Sequence, residues 1–220
     1  MSKSLYVFDL DDTLIDGDCA MIWNAFLAEK GIATDHNFVT EDRRRMALYA
    51  QGKMDMAQYI TFAMQPLANV PIASVQAWAQ ECVAQLIVPR HFAQARTLLA
   101  QLKLQGSTCL IISASVSFLV QEVAAHFGIA HALGIDLVER QGCYSSEIAG
   151  VASYREGKVL RLQQWLSEQS ETYQHIHFYT DSINDLPLCL HADFTYLVNP
   201  CPQLRAQGAQ HGWPVLNWAV

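Results

Sequence analysis

Apolar residues recur along the chain with two different periods. Leu5 to Leu10 is a short, nearly unbroken apolar run ending in acids, the pattern of a buried strand. From Asp18 to about Leu86 the spacing becomes helical. Ile22, Trp23, Phe26 and Leu27 mark one face, and Gly31 supplies a stop. Met46, Tyr49 and Ala50 predict a second helix ending near Gly52. Met56 to Met64 predicts a third, ending before Pro66. Pro71 opens a fourth, with Ile72, Val75, Ala79, Val83 and Leu86 on one side. Four consecutive helices between strands read as an inserted helical module.

Strand and helix then alternate. Phe92 to Leu104 predicts a helix stopped by Gly106, Thr108 to Ile112 a buried strand, and Val116 to Phe127 a helix stopped by Gly128. Leu133 to Val138 and Tyr144 to Ile148 predict strands flanking a turn at Gln141 and Gly142. Ser153 and Glu156 have capping-box spacing for a helix carrying Val159, Leu162 and Leu166. A strand at His177 to Thr180, a short helix at Leu186 to Leu190 and a last strand at Phe194 to Val198 complete the expectation. This alternation predicts an α/β fold with a parallel sheet covered on both faces. Residues 1–17 and 87–220 form its core, and residues 18–86 form the helical insertion.

Composition narrows the field. A chain of 220 residues suits one α/β domain with a modest insertion, and 51% hydrophobic residues can fill a core. A net charge of −7 argues against nonspecific nucleic-acid binding. The apolar run before Asp9 is too short for a signal peptide, and no stretch reaches the roughly 18 apolar residues of a membrane span. The six cysteines are scattered and read as reduced thiols. A cytoplasmic protein acting on a small metabolite, without membrane or nucleic-acid partner, is expected. Oligomeric state is not legible.

The chemistry gathers at strand ends. In an open parallel sheet, ligands bind beyond the carboxyl ends of the strands. The first predicted strand ends at Asp9-Leu10-Asp11, the second runs into Ser113-Ala114-Ser115, and the third ends at Asp181-Ser182-Ile183-Asn184-Asp185. Lys158 starts the helix between the last two. Asp9 and Asp181 can share a hard divalent cation such as Mg²⁺, which prefers oxygen ligands. Ser113 offers a hydroxyl, and the N–H groups from Ala114 onward offer a helix N-terminus to an anion. Lys158 offers positive charge to phosphoryl oxygens. One carboxylate is then free to attack phosphorus and another to move protons.

Asp9-x-Asp11-x-Thr13, Ser113 after an apolar strand, Lys158, and Asp181-x-x-Asn184-Asp185 resemble the haloacid dehalogenase superfamily in all four of its motifs and in their order. The helical insertion resembles the C1-type cap of the phosphoserine phosphatase-like branch. "YTDSINDLPL" carries Thr180 and Ser182 where that pattern usually has glycine. The resemblance implies a Rossmann-like core and a Mg²⁺-dependent phosphatase working through an aspartyl-phosphate. It implies Asp9 as nucleophile and Asp11 as acid and base. Asp9, Asp181 and the Asp11 carbonyl are the metal ligands, and Asp185 supports them. Asn184 orients the phosphate or Lys158, and Thr13 steadies the first loop. Asp18 stands where that branch meets a substrate amine, and equally suits a helix N-cap. Along the whole chain the likeness is to bacterial members of this branch taken to be histidinol-phosphate or phosphoserine phosphatases.

Other residues carry weaker signals. Asp12 and Asp16 read as solvated loop acids. At most one of Arg43, Arg44 and Arg45 can face a cleft, since helical neighbours lie about 100° apart. Trp23 and Trp78 read as helix core, with Trp23 also able to stack on a substrate ring. His175 and His177 share a strand face but have no third ligand at a known spacing. A phosphotransferase, a lipid-headgroup phosphatase, or a noncatalytic phosphate- or metal-binding protein on the same fold are the competing readings.

Overall fold

The structure is a computed structural model and describes residues 3–219. β1 (Ser4–Phe8) is followed by four helices: α1 (Cys19–Glu29), α2 (Phe38–Ala50), α3 (Met56–Met64) and α4 (Ile72–Cys82). A wider turn at Val83–Ile87 extends α4. Next come α5 (Ala93–Leu104), β2 (Thr108–Val116), α6 (Ser117–Phe127) and β3 (His131–Ile135). The hairpin strands β4 (Leu137–Arg140) and β5 (Cys143–Ile148) lead to α7 (Glu156–Glu168). The chain ends through β6 (His175–Thr180), α8 (Leu186–His191), β7 (Phe194–Val198), α9 (Pro202–His211) and β8 (Val215–Leu216).

Six strands form one parallel sheet in the order β3-β2-β1-β6-β7-β8, and β4 and β5 pair separately as an antiparallel hairpin. Residues of β1 alternate between two cores. Leu5 and Val7 join Leu110, Ile112 and Phe178 on one face, while Phe8 joins Ile111, Val116 and Leu119 on the other. Burial on both faces explains why these strands read as continuous apolar runs. The second core runs without a break into the four inserted helices through Trp23, Phe26, Tyr59, Ile60, Val75 and Val83. Fully burying each such side chain contributes roughly 1.5–3 kcal/mol.

The register brings the polar strand tips together. Phe8 of β1 pairs with Ile111 of β2 and Tyr179 of β6, so Asp9, Ile112 and Thr180 stand one residue beyond. The Asp9 N–H donates to the Tyr179 carbonyl at 2.9 Å. Chain order reverses across β1, with β2 on one side and β6 on the other, and that switch point opens a crevice.

Several predicted elements differ in the structure. The strand expected from Leu133 to Val138 is two, β3 and β4, in different sheets. The break falls at Asp136, whose carboxylate takes the Ser117 hydroxyl and Arg161 while its carbonyl accepts from Ala149 N–H. The second strand does not stop at Ile112. After an irregularity it pairs again with β3 through Val116 and Ile135, so Ser113 and Ala114 lie in extended chain and α6 starts only at Ser117. Gly134 permits this close approach, since a Cβ there would come within 2.7 Å of the Ser117 Cα. The expected helix N-terminus at Ser113 is therefore corrected.

The Ser153–Glu156 capping box is also corrected. Arg155 occupies the N-cap position of α7 without a side-chain cap, and Ser153 instead donates its hydroxyl to the Ser113 carbonyl. Phe194–Val198 is not the last strand, because α9 and β8 follow it.

Candidate active site

The first-motif loop leaves β1 and turns back at once. Asp12 adopts φ +54° and donates its N–H to the Gly17 carbonyl at 3.0 Å. This tight loop keeps Asp9 and Asp11 beside the sheet and delivers Asp18 to the start of α1. There Asp18 accepts the Met21 N–H at 2.8 Å, a side-chain N-cap.

Asp9 is buried against Lys158, whose Nζ donates to Asp9 Oδ1 at 2.7 Å and to Asp185 Oδ2 at 2.8 Å. Lys158 comes from the first turn of α7 and is only 1% exposed. Asp185 also accepts the Thr180 hydroxyl at 2.7 Å. Thr13 Oγ1 lies 3.2 Å from Asp181 Oδ1 and 3.5 Å from Asp9 Oδ2, between the two carboxylates. Asp11 accepts the Cys19 N–H at 2.6 Å on one oxygen, and the Ser113 and Ser115 hydroxyls, each at 3.0 Å, on the other. The structure thus brings Asp9, Lys158, Asp181 and Asp185 into one set of contacts and Asp11 and Ser113 into a second, close enough that the Asp11 charge acts on Asp9.

The departures from glycine at Thr180 and Ser182 have a role in this loop. Thr180 accepts the Ser182 N–H, and Ser182 accepts the Asn184 N–H, both at 3.3 Å. Hydroxyls thereby hold a turn that glycine would leave to the backbone alone.

Charge in the cluster is unbalanced: Asp9, Asp11, Asp181 and Asp185 surround one ammonium. Burial pushes the Asp9 carboxyl up to about 7, against the pull of Lys158 and with the repulsion of Asp185 and Asp11. Asp181 is also pushed well above the carboxylate range by burial and then by the Asp9 charge. Burial works against the Lys158 charge, but Asp185 and Asp9 outweigh it and hold the ammonium above its ordinary range. Among the described residues no three His, Cys, Asp or Glu side chains form a self-sufficient metal cage. The Asp9 and Asp181 carboxylates, with Thr13 Oγ1 between them and one Asp9 oxygen held by Lys158, nevertheless fit a hard divalent cation that main-chain oxygen and water would complete.

Above the cluster the inserted helices close a small cavity of about 20 Å³. Asp11, Asp18, Ala20, Met46, Tyr49, Met54, Met56, Tyr59, Ala114 and Ser115 line it. No lysine or arginine is among them. Arg44 and Arg45 both pair with Glu41, and Arg43 is exposed. Asn184 faces the cap: its Nδ2 donates to the Tyr49 carbonyl at 2.9 Å, and its Oδ1 accepts from the Tyr154 hydroxyl at 3.3 Å. A wide depression of about 1120 Å³ between α3 and the β4–β5 hairpin contains none of the clustered carboxylates.

Trp23 is 3% exposed and packs on Phe26 and Phe118. His177 stacks on Tyr6 and contacts the Tyr196 hydroxyl, within an aromatic row on the sheet. Sequence reasoning passed over Ser115, although Ser113-x-Ser115 in an extended chain puts both hydroxyls on one side. It also passed over Asn24, Asp42 and Tyr59, which are buried together in the cap.

Residues 6–189 match the haloacid dehalogenase-like hydrolase family, and the chain belongs to it. It is a phosphoric monoester hydrolase. A histidinol-phosphatase of Neisseria meningitidis is 33% identical over 98% of this chain and 99% of its own length. A crystal structure of a protein of unknown function from Bordetella pertussis superposes with a TM-score of 0.90 at 32% identity, covering 98% of this chain and 99% of that one. A substrate-bound phosphoserine phosphatase shares the fold, with a TM-score of 0.71 at 16% identity over 94% and 91% of the two chains. Among the described residues no helix is long and apolar enough to cross a membrane.

Proposed function

We propose that this phosphatase hydrolyses a small amine-bearing phosphate monoester, with histidinol phosphate favoured over phosphoserine, and so serves amino-acid biosynthesis. One observation carries the choice. The cleft lining has two carboxylates, two tyrosines and three methionines but no cation to receive a substrate carboxylate. Phosphoserine would bury its carboxylate there unpaired, beside Asp18, at a cost of several kcal/mol. Histidinol phosphate has no carboxylate, and its ammonium suits Asp18. The 33% identity to a histidinol-phosphatase supports the same choice.

The reaction we propose has two steps. A free Asp9 oxygen attacks phosphorus, and the ester oxygen leaves with a proton from Asp11. Asp11 then takes a proton from water, the water oxygen attacks the phosphoryl group, and inorganic phosphate departs with Asp9 restored. Lys158 keeps the other Asp9 oxygen occupied and so aims the attacking one. Ser113, Ser115 and the Ala114 N–H hold the phosphate, and Asn184 ties the phosphate side to the cap. Asp9, Asp181 and the Asp11 carbonyl would hold Mg²⁺, with Asp185 behind them. Bound there, the ion supplies positive charge to the phosphate oxygens and to the crowded carboxylates. Residues 18–86 act as a cap that opens from the core of residues 1–17 and 87–220 to admit substrate.

The test compares kcat/KM for histidinol phosphate, phosphoserine and an aryl phosphate, with and without Mg²⁺. Histidinol phosphate is expected to lead, with Mg²⁺ required. An aryl phosphate turned over as well as both amino esters overturns the substrate assignment. Full activity after removal of divalent ions overturns the metal assignment.

A further inference from the structure

Behind the cavity over Asp11 lies a second, of about 20 Å³. It is lined by Trp23, Asn24, Ile60, Ala63, Met64 and Leu119, among others. The two cavities share Ala20, Tyr59, Ala114 and Ser115, so they adjoin across these four residues and form a near and a far compartment. The near compartment is acidic, and the far one is apolar apart from Asn24 and its few polar neighbours.

Asn24 is 1% exposed, and its Oδ1 has no hydrogen-bond partner. Which end of the amide points where is settled by its neighbours. Asp42, 2% exposed, accepts the Tyr59 hydroxyl at 3.0 Å and Asn24 Nδ2 at 2.9 Å on the same oxygen. A carboxylate only accepts, so it demands the NH₂ end. The Tyr59 proton is committed to Asp42, which leaves that hydroxyl an acceptor for the same NH₂ at 3.4 Å. Flipping the amide would set its oxygen against a carboxylate. Asp42 and Tyr59 therefore lock Asn24 with its carbonyl oxygen unspent. An orphan buried acceptor is costly to leave unpaired, and a ligand donor would recover that cost.

We infer that Asn24 is a specificity-determining residue, whose Oδ1 accepts the ring N–H of a heteroaromatic group seated in the far compartment. This rests on the proposed function and deepens it. With the phosphate at Ser113 and the ammonium at Asp18, a substrate ring would extend past Ala20 and Tyr59 into that compartment, which at about 20 Å³ holds little more than a water molecule and would have to widen as the cap parts. Trp23, Ile60 and Leu119 would cover its faces, and Asn24 would receive its N–H. Phosphoserine has nothing to place there.

The test uses the purified full chain at pH 8, above the roughly 6.5 at which an imidazole ordinarily titrates. The substrates are histidinol phosphate, its ring-N-methylated analogue and an aryl phosphate. Ring methylation is expected to lower kcat/KM of the unaltered enzyme by roughly 10–100-fold. Asn24→Leu is expected to impose a similar loss on histidinol phosphate, mainly in KM, while changing the other two esters by less than about threefold. Equal losses on all three esters would make Asn24 a structural residue and overturn the inference. If the variant does not fold, the methylated ester decides alone, and equal turnover of the two histidinol esters overturns the inference. If the unaltered enzyme shows no preference for histidinol phosphate over the aryl ester, the substrate assignment falls and this inference with it. If that preference stands and survives Asn24→Leu, the inference alone falls.

Discussion

The catalytic cluster and the cap cavity are both buried, yet they spend polarity in opposite ways. In the cluster, six groups from three strand tips and one helix meet in two adjoining sets of hydrogen bonds, and carboxylates outnumber the one ammonium. In the cap, a handful of polar atoms sit among methionine, tyrosine and tryptophan, and one of them is left without a partner. Crowded charge serves a reaction whose transition state is charged, where placement and electrostatics dominate. Sparse polarity in an apolar compartment serves recognition, because one unmatched acceptor there discriminates more sharply than many exposed ones. On the proposed reading, chemistry and choice of substrate are written in different parts of the chain.

Perturbing the cluster should have the largest effect. Asp9→Asn is expected to lower kcat by roughly 10³-fold or more with the fold intact, measured by steady-state turnover beside a thermal melt. Turnover within about tenfold of the unaltered enzyme would remove Asp9 as nucleophile. Lys158→Met leaves Asp9 and Asp185 buried without their counter-charge. It should reduce unfolding free energy by about 3–5 kcal/mol in urea, as well as activity. A loss below about 1 kcal/mol would mean that the ammonium balances little of that charge.

The next effect lies outside both regions, where the chain returns from the inserted helices to the core. His91 bridges to Ile15, stacks on Phe127 at 3.7 Å, and leaves Nε2 unpartnered. Burial pushes its imidazole down to about 4. The folded state therefore resists a proton that the unfolded chain accepts from about 6.5 downward. Stability should be full above that pH and fall by about 2–3 kcal/mol as pH drops to 4. His91→Phe should remove this part of the acid dependence, and an unchanged pH profile of unfolding would assign it to other groups.

The smallest effect should come from the link between cap and core. Asn184→Ala deletes the donor to the Tyr49 carbonyl and should cost about 1 kcal/mol. Limited proteolysis of residues 51–55 should quicken while the midpoint of global unfolding shifts little. An unchanged cleavage rate would mean that this contact does not hold the cap.

Legibility followed the same divide. Asp9, Asp11, Ser113, Lys158, Asp181 and Asp185 could be found because strand ends in a parallel sheet face one way, so sequence position implies spatial position. α3 was readable to the residue because Met56, Tyr59, Ile60 and Met64 are buried at helical spacing. α2 and α9 gave little signal, since only Phe38 and Asp42 are buried in one, and Leu204 and Gly208 in the other. The Asn24–Asp42–Tyr59 lock joins three cap helices, and nothing local marks those residues as partners. Ser153 matched a local rule, but the buried Ser113 carbonyl needed a donor and claimed its hydroxyl.

The bond from Asn184 to the Tyr49 carbonyl has a kinetic meaning as well. On the proposed gating it would act as a latch, since the cavity it closes, about 20 Å³, is too small for any ester. A ligand then meets a receptive molecule only in the fraction of time the lid has swung away, and apparent affinity is lowered by that fraction. Loosening such a latch would favour capture and weaken retention, so on this reading the strength of one amide contact would divide the enzyme's time between waiting and working.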